Sequence, residues 1–491
     1  MKVLYYIYII LLLPSLCWSQ ELGFKKIYAA TTTRVTFVDI LWDGEKLITT
    51  GQFLSADTLP NGALNGLMYM ELDTNGNTLH TDIYYRPNVG ITSFRGNDAT
   101  LRSNNDVLVA TQLINDPSGL VCTYRAGELI SAKTYNPLPS ENAKLKNIIE
   151  LPDGLLIAGT FSDISPIDAL LIKTDSVGNI VWERDYSLDG LFTSINEPYI
   201  IDANTILLPG YCGFHNPPLN SWSKSRIITT DSLGIIKKEW QSVKNKETGI
   251  KKRLLRLPNN NWLYTTTEVV PLPQFNDRGY LPKLVCRDSN FNLVWEQTLT
   301  TTARNTNYFS DLIATADGNF ITIGTWQGRP NLMVHKFSST GSPIWTYFGS
   351  EDLNDVYEYD FGGIVEIPSG SIFTAGLIES ISLEGSAGVL IKLSPNGCID
   401  VNCGDTKTNS TLDLLTAEKI RVFPNPTSDL IQVTNPIGGF IEIFDVSGKL
   451  IKSFAVTGSN QTVSIKDIPS GTYFLKMHEK TLQVTYQIIK I

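Results

Sequence analysis

An all-β chain is predicted by three observations. Short apolar runs alternate with tight polar turns along nearly the whole length, branched and aromatic residues fill those runs, and one turn-centred unit recurs seven times. Val, Ile, Thr, Tyr and Trp suit a pleated surface because their side chains pack across neighbouring strands. No long amphipathic helical pattern interrupts the series.

Composition limits the function classes. Hydrophobic residues at 42% and charged residues at 18% describe a chain that folds around a core. The formal charge of −9 gives the protein no electrostatic reason to seek nucleic acid or anionic lipid. One local basic run, Lys244 to Arg256, reads as a solvated strand edge.

At the N-terminus Lys2 precedes an apolar run, Val3 to Leu13, which Pro14 ends before Cys17-Trp18-Ser19. Residues 1–19 read as a secretory signal peptide, cleaved after Ser19, because the apolar run is too short to span a bilayer. Cys17 raises a lipoprotein alternative, but Leu16 stands where that signal needs a small residue. Export makes a local disulfide the natural reading of Cys398 and Cys403 in NGCIDVNCGD. Cys122, Cys212 and Cys286 are widely spaced and lack zinc-ligand patterns.

Each repeat has two halves. The first is a hairpin, as in LWDGEKLITTG from Leu41, LPDGLLIAGT from Leu151, TADGNFITIGT from Thr315 and IPSGSIFTAG from Ile367. Turn residues such as Asp-Gly and Ser-Gly accept positive φ or bond their own backbone. The second half carries another turn, as in LLIKTDSVGNIVW from Leu170 and KLVCRDSNFNLVW from Lys283. Its turn glycines are Gly76, Gly127, Gly178, Gly234, Gly341 and Gly397, with Asn292 read as the replacement in the fifth copy. Four short strands per copy predict a seven-bladed β-propeller over residues 21–403. The last copy lacks a good fourth strand, so Phe24–Ala29 is expected to complete it beside Val389–Leu393.

The Asp-x-x-Gly turn followed by Trp182, Trp295 or Trp345 resembles the repeats of quinoprotein-like and WD-like propellers. That resemblance implies tryptophans docked between blades. It does not imply a quinone, and no cofactor is expected.

Residues 404–419 read as a linker, and residues 420–491 as a small Ig-like antiparallel β-sandwich. The stations Val422-Phe423-Pro424-Asn425-Pro426-Thr427, Ile443 to Lys449, Ile468 to Phe474 and Ile489-Lys490-Ile491 occur in order. They resemble the C-terminal sorting domain of the type IX secretion system, with Pro424, Asn425, Pro426, Asp445, Gly448, Gly471, Tyr473 and Lys490 on the matching positions. The resemblance implies a Bacteroidota source and handling by the type IX translocon and its sorting-domain peptidase. It also implies delivery to the cell surface or medium, with attachment to surface lipopolysaccharide as one outcome.

Motif searches for chemistry return little. His80, His215, His335 and His478 belong to no H-E-x-x-H pattern, and no G-x-S-x-G elbow accompanies them. His80 holds the position of Trp182 and reads as packing. The Asp–Gly–Trp spacing around Asp175 departs from the sialidase Asp box. Turns such as Asp73 to Asn77 carry calcium-like oxygens but lack the rest of an EF-hand loop. No catalytic or metal residue is assigned.

Tight turns should leave one face of the ring bare, while connections between second and third strands build the other. Long connections are expected at Phe53–Gly66, Gly210–Lys224 and Thr267–Pro282. The aromatics of the fourth to sixth copies nominate Phe214, Trp222, Phe275, Tyr280 and Trp326, with Arg329, as a binding patch for an extracellular glycan or protein. The expected function is a secreted or cell-surface binding or scaffold module. The alternative is an extracellular hydrolase or lyase acting on glycan or peptide from the channel or loop face.

Overall fold

The computed structural model describes residues 23–28, 33–55, 64–86, 89–92, 99–114, 116–136, 142–162, 167–214, 221–272, 277–298, 308–326, 331–349, 356–380, 385–399, 421–423, 427–434, 440–445, 449–456, 458, 460–479 and 482–490. Every regular element among them is a strand. The expected signal peptide (1–19) and linker (404–419) lie outside the described residues.

Among the described residues seven antiparallel sheets follow one another, all but the last with their strands in chain order from one edge to the other. Their leading strands are Thr33–Trp42 in the first sheet, Asn142–Leu151 in the third, Tyr308–Ala314 in the sixth and Val356–Glu366 in the seventh. In the second sheet the leading edge is split into Gly90–Thr92 and Ala99–Leu101, and in the fourth into Phe192–Ile195 and Tyr199–Asp202. The fifth begins with the short Leu255–Arg256. The seventh is completed from the other end of the chain. Phe24–Tyr28 pairs antiparallel with Gly385–Leu393, Phe24 opposite Lys392 and Tyr28 opposite Gly388. The expected closure is therefore observed, and it covers an edge that would otherwise present unpaired backbone groups.

Apolar residues of each sheet share a core with those of the next. Leu67 and Tyr69 meet Val109 and Tyr124, and Leu108 and Val121 meet Ile157 and Leu170. The series continues to Phe37 and Met68 of the first sheet against Phe373 and Leu390 of the seventh. Cys122, Cys212 and Cys286 are free thiols within these cores, where they act as small apolar groups. Burial pushes the Cys122 thiol up to about 12.

A second closed series runs along the turns. The aromatic of each fourth strand seats against the turn of the following sheet, and the turn residue there has positive φ. Trp182 meets Gly234, Trp295 meets Gly341 and Trp345 meets Gly397. His80 takes the same seat, its Nε2 lying 3.1 Å from the Gly127 carbonyl oxygen. Tyr28 closes the circle by donating its hydroxyl to the Gly76 carbonyl at 2.6 Å. In the fifth sheet the residue in the glycine place is Phe291, at φ 66°, and not Asn292. Asn292 instead bonds back to Asp288, as Asn179 does to Asp175. In these turns the Asp carboxylate accepts its own loop's N–H groups, which explains Asp73 and Asp175 as turn formers.

The tail forms a three-stranded and a four-stranded antiparallel sheet over one core that includes Ile431, Val433, Ile443, Leu475 and Ile488. The buried residues of that core all belong to the tail.

Candidate binding channel

Along the leading strands of four sheets the pairing slips by one residue at an equivalent level. The slips fall between Phe37 and Asp39, Leu145 and Asn147, Phe309 and Asp311, and Phe361 and Gly363. Each is a β-bulge, which inserts a residue, sharpens the twist and re-aims the side chain. The bulged residues Val38, Lys146, Ser310 and Gly362 all line one cavity of about 780 Å³. The recurring glycine of the second strand has its cause here. A Cβ on Gly51, Gly210 or Gly324 would lie within 1.7, 1.9 or 2.1 Å of the leading strand's carbonyl oxygen.

Lys252, one of the lining residues, belongs to a charge cluster that joins several sheets. Lys252, at φ 48°, sends its ammonium to Asp39 at 2.9 Å, Asp311 at 3.2 Å and the Gly362 carbonyl at 3.1 Å. Arg253 lies 3.1 Å from Asp311 and 3.3 Å from Glu197. Each carboxylate is also held by backbone: Asp39 accepts from Ile40 and Ala99, and Asp311 from Leu312. With side-chain exposures of 1–8%, Lys252, Asp39 and Asp311 are buried together, one ammonium shared by two carboxylates. The basic run from Lys244 is thus not simply a solvated strand edge. Carboxylates from other sheets replace water around its central residues.

One wall is different. Lys146 contacts only the Ser194 hydroxyl, at 3.4 Å, and neither Lys146 nor Lys251 has a carboxylate partner among the described residues. Burial, with Lys144 and Lys251 nearby, pulls the Lys146 amine down to about 8. Burial lowers Lys251 as well. Asn196 and Tyr211 complete this wall, the Asn196 amide donating to the Ile250 carbonyl at 2.6 Å. Across the cavity, Tyr308 donates to Asp360 at 3.3 Å and Ser386 to Glu379 at 3.0 Å.

The cavity also reaches Gln52, Leu54, Leu377 and Glu379, near the ends of second strands. It therefore opens on the face where second and third strands connect. Two of the expected loops there are largely paired strand. Trp262–Leu272 and Asp277–Arg287 keep register out to Leu272 opposite Asp277, and Phe214 pairs Trp222. Branched residues such as Val269 and Val270 extend the ladder instead of ending it.

Of the nominated patch, Phe214 and Trp222 face each other across one strand pair and Tyr280 sits opposite Val269. None of these three lines the cavity. The Trp222 ring already carries Lys224 and Lys244 over it at 5.6 and 5.2 Å. Trp326 pairs Asn331, while Phe275 and Arg329 lie outside the described residues. The channel residues were missed because they sit on or just ahead of leading strands and on second strands, away from the turn motif. A signal existed: Asn147, Arg253 and Asp311 each precede a positive-φ turn residue by seven positions (Gly154, Asn260, Gly318).

Cys398 is disulfide-bonded, and Cys403 lies outside the described residues, as do Pro424, Asn425, Pro426 and Gly448. In the tail Asp445 accepts from the Lys449 N–H at 3.0 Å, closing a turn. Gly471 opens the strand in which Tyr473 sits, and the Tyr473 hydroxyl donates to Pro469 at 2.9 Å. Lys490 is buried beside Thr427, its ammonium 3.9 Å from Asp429.

Comparison with curated proteins finds no match. Among solved structures, the chain is similar to the α-L-arabinofuranosidase Arb93A from Fusarium graminearum, at 13% identity and TM-score 0.40, covering 60% of this chain and 91% of that one. It is also similar to a neuraminidase-like protein from an A/bat/Guatemala source, at 9% identity and TM-score 0.38, over 77% and 93%. Drosophila Semaphorin 1a, extracellular domains 1-2, gives 8% identity and TM-score 0.44 over 83% and 93%. At these values no activity carries over to this chain. Residues 421–491 match the secretion system C-terminal sorting domain, which marks this protein for export by the type IX system to the cell surface or extracellular space.

Proposed function

We propose that the seven sheets are the blades of one closed β-propeller, residues 21–403, and that it acts as an exported binding module. In this reading residues 1–19 direct entry to the secretory route, 404–419 link the ring to its address, and 420–491 form an Ig-like sandwich handled by the type IX translocon and its peptidase. The bearing observation is the Lys252 clamp. Asp39 and Asp311, the buried carboxylates that hold the channel-lining Lys252, are bound to one ammonium and to backbone N–H groups. Carboxylates so engaged are poor general acids or bases, because catalysis needs a group free to gain and lose a proton near working pH. A cavity of about 780 Å³ within a rigid ring suits a small ligand or the end of a polymer. Strand ends around Phe214, Trp222 and Tyr280 offer an outer surface to the rest of a glycan or protein partner.

The test is an array of extracellular glycans and surface proteins probed with the purified protein, followed by product analysis on every ligand retained. Retention without turnover is expected. Cleavage of a retained ligand that tracks with the protein would replace this reading by the hydrolase or lyase one.

A further inference from the structure

We infer that Lys146 and Lys251 form the receiving site for an oxyanion, a carboxylate or sulfate carried by the ligand, on the wall of the channel. The inference rests on the binding reading above and adds the chemistry of the ligand.

The cavity holds two kinds of lysine. Lys252 has what a buried ammonium needs: two carboxylates and a carbonyl oxygen. Its role is architectural. Lys146 has one distant hydroxyl, and the charges that act on it, Lys144 and Lys251, are of its own sign. A half-buried ammonium next to a second one is unfavourable in the empty protein, since burial and like charge both penalise the protonated form. Packing does not explain the arrangement, because a methionine would fill the same space without that penalty. An incoming oxyanion does explain it, by supplying the negative charge that both amines lack.

The backbone delivers them to one place by separate devices. Lys146 is the extra residue of a β-bulge in the third sheet. Lys251 comes from the segment ahead of the fifth, positioned by its N–H bonding Thr265 at 3.0 Å and by Ile250 bonding Gly210 at 3.2 Å. The fourth sheet places Asn196 and Tyr211 between them. The seventh sheet adds Asp360 and Glu379 to the lining, which would repel an anion, and the first sheet adds Arg34. An oxyanion is thereby favoured at the lysines and disfavoured beside the seventh sheet.

The whole protein, with its lysines labelled by reductive ¹³C-methylation, is titrated with pH in sodium chloride, sodium sulfate and sodium glucuronate at matched ionic strength. Glucose serves as the neutral probe. In chloride the Lys146 signal is expected to titrate at about 8, below the ordinary lysine value. Sulfate or glucuronate should move it upward, and glucose should not. Lys251→Met should weaken the effect on the Lys146 signal, and Lys146→Met the effect on the Lys251 signal, each roughly tenfold or more, as loss of one charge-assisted contact implies. Lys238→Met should leave both unchanged. A Lys146 titration identical in all three salts, or an anion effect that survives Lys251→Met, overturns the inference. Array ligands that still bind both Met variants would preserve the binding reading and overturn this site alone.

Discussion

Lys252 donates to Asp39 across 213 residues of sequence, at 2.9 Å. The same ammonium reaches Asp311 and the Gly362 carbonyl, so one side chain ties the fifth sheet to the first, sixth and seventh. Lys252→Met would take from Asp39 and Asp311 the ammonium they share. Loss of one partner from a buried ion pair costs about 3–5 kcal/mol, and denaturant unfolding of the variant should show a loss of that order. Adding Asp39→Asn should restore part of it. A loss within the ~0–1 kcal/mol of a surface pair would remove the clamp from the account.

Phe291 sets two effects against each other. Its φ of 66° is a left-handed conformation that costs a residue with a Cβ about 1–2 kcal/mol. Its ring is 6% exposed and packs between Trp240 and Trp262, with centroids 5.9 and 6.3 Å away. Removing a buried Phe ring costs about 3–5 kcal/mol. Packing outweighs strain, so Phe291→Gly should destabilise by about 2 kcal/mol in spite of the relieved backbone. A rise in thermal midpoint would show that strain dominates.

The N-terminal strand is a structural closure. Tyr28→Phe removes the hydroxyl bonded to Gly76 and should cost about 1 kcal/mol. Deleting residues 23–28 should do more, because it exposes the edge of Gly385–Leu393. Light scattering of the deletion protein should detect association that the wild type lacks. A monodisperse deletion protein with an unchanged unfolding midpoint would count against closure.

Lys146 predicts a pH signature. Its folded value of about 8 lies below the ordinary lysine value of 10.5. Between those values the unfolded chain holds a proton that the folded chain has released, so this group makes stability rise with pH across that window. Below about 8 the penalty on the folded state is complete. Lys146→Met should therefore stabilise the protein at neutral pH, and the gain should fade as pH climbs through the window. A variant less stable at pH 7 would mean that Lys146 has a structural partner.

Much of the fold was legible in the sequence because its turns repeat. Asp175, Gly178 and Trp182 mark a turn and the aromatic that seats on the next sheet, and both effects are local or nearly so. Even the joining of the termini could be read from the missing fourth strand. The channel was less legible. Lys146 and Lys252 acquire their roles from Ser194, Asp39 and Asp311 on other sheets, and a one-residue bulge turns an apparent edge lysine inward. Phe291 was hidden differently. The neighbouring Asn292 looks like the natural left-handed residue, and aromatic packing overrode that preference.

A self-contained ring joined to a removable export address is the central claim, and the separate tail core makes that division testable. Residues 420–491 are deleted in the native host, and the periplasmic, surface and medium fractions are assayed for the protein and its unfolding midpoint. The truncated ring should accumulate in the periplasm, folded and with an unchanged midpoint, while the wild type reaches the surface or medium cleaved between residues 404 and 420. A truncated protein that still arrives outside the cell, or a wild type found there intact to Ile491, would contradict the account.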